Sequence, residues 1–117
     1  MPKKTSPHFE LQGPTFSHAL EYLIEEFIEH RREVKKPMTP RALKMFRELI
    51  ANTLKDLYTE DEVAKMITNA IIQRWLTIWP KPLSHQEKRA RWCQSPHLFY
   101  DYLTEEERET YNTLFLS

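Results

Sequence analysis

The chain contains one glycine, Gly13, in 117 residues. Phosphate-cradling loops and dinucleotide fingerprints need several glycines for tight turns and close backbone approach, so both are excluded. The same scarcity disfavours a turn-rich β sandwich or barrel. Cysteine is equally scarce. Cys93 stands alone, which rules out an internal disulfide and a zinc site built mainly of thiolates. One unpaired thiol suits a reducing cytoplasm, the compartment expected here. No apolar run approaches the roughly 18 residues of a membrane span. The opening Met-Pro-Lys-Lys-Thr-Ser-Pro has charge but no apolar core of a signal peptide. Net charge is lacking too, with 17 bases against 17 acids. That balance speaks against a strongly basic nucleic-acid coat protein and equally against an acidic DNA mimic.

What is present is a succession of helix signals, and no strand-length alternation competes with them. Residues 1–14, with Pro2, Pro7, Gly13 and Pro14, read as an extended arm in which Phe9 and Leu11 are the candidates to dock on the body. Residues 15–117 read as one helical domain. A first helix starts near Thr15 or Ser17, carries Phe16, Leu20, Leu23 and Phe27 at helical spacing, and ends before Pro37. A second takes Thr39 as cap and Pro40 as first residue, presents Leu43, Phe46, Ile50 and Leu54, and runs to about Tyr58. A third opens on the capping box Thr59-Glu60-Asp61-Glu62 and keeps apolar residues through Trp75 and Ile78 until Pro80 and Pro82 stop it. Its wide apolar arc marks it as the most buried helix, with Trp75 and Trp79 as packing anchors four residues apart. Shorter segments follow: a basic stretch after the Ser84–Glu87 box, His97–Leu103 after Ser95-Pro96, and a last helix after Thr104 with Tyr111, Leu114 and Phe115 as apolar positions. The fold class is therefore all-α, a small bundle of three main helices plus two or three short C-terminal ones.

Catalytic chemistry has little to stand on. The five histidines make no i, i+3 or i, i+4 pair, so no metal or other cofactor is expected. Ser84 and Ser95 are caps, and Glu105, Glu106 and Glu107 fill the first turn of a helix, where acids belong. The chain reads as a non-enzyme. The bases carry more content. Arg31, Arg32, Lys35, Lys36, Arg41, Lys44 and Arg47 crowd the corner between the first two helices, against Glu33 alone. Nucleic-acid backbones and acidic protein surfaces both favour such a corner. Lys88, Arg89 and Arg91 beside Trp92 form a second basic–aromatic site, of the kind that stacks on exposed nucleotides, although a tryptophan in a short helix is more often core.

Phe27-Ile28-Glu29-His30-Arg31-Arg32, followed by Lys35-Lys36-Pro37-Met38-Thr39-Pro40-Arg41-Ala42-Leu43, resembles a helical module of phage and prophage DNA replication proteins. That module usually lies at the C-terminal end of replisome-organiser or helicase-loader-like proteins. Its closing Ser-Ile-x-Asn-Gly-Trp-x-Gly-Ile-Phe-Pro-like run has a counterpart in Ala70–Pro80, with Gln73-Arg74 in place of Asn-Gly. The resemblance covers about residues 20–80. Only a short arm stands where the family carries a DNA-binding winged helix, so origin recognition is not implied. What is implied is a helical adaptor touching a replicative helicase, single-stranded DNA, or both.

Three readings follow. The first is a replication accessory protein whose site residues are Arg31, Arg32, Lys35, Lys36, Arg41, Lys44, Lys88, Arg89 and Arg91. The second is a small phage-encoded inhibitor that occludes a host or defence complex. The third is a helix-turn-helix regulator, with the second and third helices as the motif. All three expect a protein or nucleic-acid partner and no membrane, and none fixes the oligomeric state.

Overall fold

The computed structural model describes residues 14–116, so most of the expected arm, with Phe9 and Leu11, lies outside the described residues. Five α-helices follow one another: α1 (His18–Glu33), α2 (Pro40–Lys55), α3 (Glu60–Ile72), α4 (His85–Gln94) and α5 (Glu105–Leu116). Two short 3-10 turns, Pro96–Leu98 and Tyr100–Tyr102, occupy the segment expected as a single short helix. Among the described residues there is no strand, and the fold is all-α as the sequence implies.

Each start is set by a side chain that satisfies an orphan backbone donor. Ser17, Thr39, Thr59 and Ser84 accept from the N–H three residues on. Glu62 and Glu87 return the bond to their caps and close two capping boxes. Ser17 also donates to Glu60 Oε1 at 2.8 Å, which puts the start of α1 beside the start of α3. At the other end, His30 donates from Nε2 to the Trp75 carbonyl at 2.8 Å. The two helices therefore run side by side in the same direction, and α2 links the end of the first to the start of the second.

The ends follow one rule three times. Lys35, Leu57 and Arg74 have φ of 64°, 73° and 60°. Each is the first residue past the helix cap, and each is flanked by the paired bonds of a Schellman motif. The pairs are Lys36 N to Arg31 O with Lys35 N to Arg32 O, Tyr58 N to Thr53 O with Leu57 N to Leu54 O, and Trp75 N to Ala70 O with Arg74 N to Ile71 O. Glycine normally takes this left-handed position, and here a lysine, a leucine and an arginine do. Gln73-Arg74 thus forms a left-handed turn without a glycine.

Two apolar clusters result. The first joins α1, α2 and α3 through Leu20, Ile24, Phe27, Leu43, Phe46, Ile50, Leu54, Val63, Ile67 and Ala70. Phe27 and Phe46 stack with ring centres 4.5 Å apart. The second gathers Leu57, Trp92, Phe99, Leu103 and Phe115 under α4 and α5. Leu57 reaches it because its left-handed turn swings the side chain away from the face of α2. Arg91 ties the clusters together: it donates to the Leu57 carbonyl at 3.0 Å and to both carboxylate oxygens of Glu62, with Nη2–Oε2 at 2.7 Å. Tyr111 adds a bond from its hydroxyl to the Lys55 carbonyl at 2.7 Å.

Two expectations are corrected. The third helix does not run to Ile78. It stops at Ile72, because the turn at Arg74 reverses the chain before either proline is reached. Nor is it the most buried helix: α2 buries six residues and α3 three. Trp75 and Ile78, read as part of its apolar arc, lie past the helix end.

Candidate binding surface

The basic corner sits where α1 ends and α2 begins, and the structure divides its bases into two groups. Arg47 is withdrawn from the surface. It is 7% exposed, bonds both Glu21 oxygens at 2.7 Å and reaches the Pro14 carbonyl. Arg32 pairs with Glu29 at 2.6 Å on the exposed face of α1. Arg31 is a clip: its Nε donates to the Lys36 carbonyl at 2.6 Å and its Nη1 to the Leu76 carbonyl at 3.2 Å. One guanidinium thus holds the turn after α1 against the turn after α3. Lys35, Lys36, Arg41 and Lys44 are exposed. Among the described residues, none of these four forms an ion pair.

The second basic site is dispersed. Trp92 is fully buried and donates from its indole to Asn112 Oδ1 at 2.9 Å, so it has no face to offer a base. Arg91 is bound to Glu62 and lies over the Tyr58 ring. That ion pair, reinforced by the Thr59 N–H, holds the Glu62 carboxyl down at about 2 and pushes the Arg91 guanidinium further up. Lys88 lies 3.9 Å from Asp56. Arg89 is exposed.

The end of α3 and the residues just past it form an exposed apolar feature that includes two tryptophans read from sequence as packing anchors. Ile72 and Trp79 are each 69% exposed, Leu76 is 45% and Trp75 is 39%. Trp75 and Trp79 are therefore not packing anchors. Their i, i+4 spacing counts only on a helix, and the chain is no longer helical there. Ile78 alone turns inward, at 2% exposed, and pins the segment to the first cluster. His30 pins it too: buried against the Phe27 ring, it holds the Trp75 carbonyl. The result is an apolar ledge, fixed by His30, Arg31 and Ile78 from beneath, beside the bases of the corner. Arg74 belongs to this edge as well, exposed at its left-handed turn.

Among the described residues no group of His, Cys, Asp and Glu is arranged to hold a metal ion. Among the same residues, no helix is long and apolar enough to cross a membrane. A family model described as the YdaU C-terminal domain matches residues 18–104. The match takes in the corner, the ledge and the Lys88–Arg91 stretch. No curated protein and no solved structure matches the chain significantly.

Proposed function

The chain belongs to the YdaU C-terminal domain family, a phage-associated family, and from that membership we propose a non-enzymatic accessory protein of phage or prophage DNA replication. Its role is to contact a replicative helicase, single-stranded DNA, or both, through the basic corner.

The observation that supports this reading is the division of the bases. Arg31, Arg32 and Arg47 serve the fold or pair with acids. Lys35, Lys36, Arg41 and Lys44 form no ion pair among the described residues. Four like charges on one corner repel each other and contribute nothing to the core. They favour an approaching phosphate backbone or carboxylate surface.

The test is a charge reversal that leaves the Arg31 clip in place: Lys35→Glu, Lys36→Glu and Arg41→Glu together. Affinity for an oligothymidylate is measured against salt, and recovery of a purified replicative helicase is measured in parallel. For single strands the slope of log affinity against log salt is about 0.7 per phosphate neutralised, so the triple variant should lose roughly two units of slope. The helicase arm should lose recovery with the same variant. Absence of both single-strand binding at low salt and helicase recovery would refute the reading.

A further inference from the structure

The replication reading leaves the ledge beside the corner without a role, and the bases at its edge are placed where folding does not want them. Lys35 and Arg74 both occupy left-handed positions. A glycine would hold the same turns with less strain. Both side chains are exposed, and among the described residues neither forms an ion pair. Their turns adjoin, because the Arg31 guanidinium reaches the backbone of each. Two positive charges are thus kept, at a cost to stability, on either side of one seam. Backbone strain held without benefit to packing points to a use at the surface.

Across that seam lies the ledge: Ile72, Trp75, Leu76 and Trp79, all exposed. We propose that ledge and seam together are the docking surface for an acidic, apolar segment of a partner protein. This rests on the reading of the corner as a binding surface and names what it takes. Charge complementarity chooses the sign, since the bases flanking the ledge favour carboxylates. The aliphatic half of the ledge chooses the class. A nucleobase stacks on tryptophan and gains little from isoleucine or leucine, whereas a leucine- or phenylalanine-bearing segment buries against all four. The ledge is also held in place before anything binds, by His30, Arg31 and Ile78, so little ordering is needed on docking.

A random peptide library selected on the immobilised protein tests this directly. Recovered peptides should combine Asp or Glu with Leu, Ile, Phe or Trp. Their affinity, followed by quenching of tryptophan emission, should fall at least about tenfold in Leu76→Ser. In Trp79→Ser, followed by calorimetry, the fall should be similar. Lys35→Gly with Arg74→Gly should weaken binding and flatten its salt dependence. Circular dichroism should show all these variants folded, since each altered side chain is substantially exposed. Selected peptides without acidic residues, or binding indifferent to both Leu76→Ser and Trp79→Ser, would overturn the proposal. So would a ledge whose tryptophans are quenched by oligothymidylate alone, or covered by a second copy on concentration. If the ledge variants keep helicase recovery and single-strand binding, the replication reading stands and only this proposal falls. If peptides bind as described but neither helicase nor DNA does, the reverse holds.

Discussion

Replacing the three left-handed cap residues by glycine, one at a time, should give two opposite results from the same backbone geometry. At Lys35 and Arg74 the side chains are exposed and anchor nothing. An L-residue in the left-handed region costs about 1–2 kcal/mol. Glycine removes that cost but loosens the unfolded chain, taking back about 0.5–1 kcal/mol. Lys35→Gly and Arg74→Gly should therefore each stabilise by about 0.5–1 kcal/mol. Leu57 has the same kind of turn, with φ of 73°, but its side chain is 0% exposed in the cluster with Trp92 and Phe99. Deleting a buried leucine side chain costs about 2–5 kcal/mol, so Leu57→Gly should be destabilising by about 2–3 kcal/mol after relief of strain. Urea unfolding with a common slope reads all three. If Arg74→Gly lowers the midpoint, or Leu57→Gly raises it, the account of the caps is wrong.

Acid should destabilise the fold in part through Glu62. Its folded-state value of about 2 lies below the ordinary 4.5, chiefly because of the Arg91 hydrogen bond, so its contribution is full above about pH 4.5 and is lost as pH falls toward 2. Glu62→Gln should lower stability at neutral pH and flatten its fall across that window, as followed by urea midpoints at successive pH values. Arg47→Met strips the paired partner from Glu21 and should destabilise by about 2 kcal/mol, less than a fully buried pair because Glu21 keeps some solvent. Thermal unfolding measures it. Trp79→Ser should leave the unfolding midpoint within about 0.5 kcal/mol of the parent while removing a solvent-exposed component of the emission spectrum.

Much of this molecule is legible one residue at a time. Thr39-Pro40, the Thr59–Glu62 box and the Ser84–Glu87 box name helix starts because caps are local chemistry. The apolar positions of α1 and α2 name the first cluster for the same reason. The end of α3 was not legible, because arginine conceals a turn that glycine would announce. Once that turn is missed, helical spacing carries Trp75 and Trp79 into the core and the ledge disappears. The use of the bases was also out of reach. Arg31, Arg47 and Arg91 find their partners at Leu76, Glu21 and Glu62, across separations in sequence that no local pattern records. What survives as candidate site is therefore smaller than the original group of bases, and it gains Arg74 and the apolar segment beside it.

The doubly substituted Lys35→Gly, Arg74→Gly protein tests the central claim most directly, in one titration with the purified replicative helicase and a stability measurement on the same sample. The account predicts a protein that unfolds at higher denaturant and binds at least about tenfold more weakly, because the two charges serve a partner at the expense of the fold. A protein that is more stable and binds as well as before would contradict it.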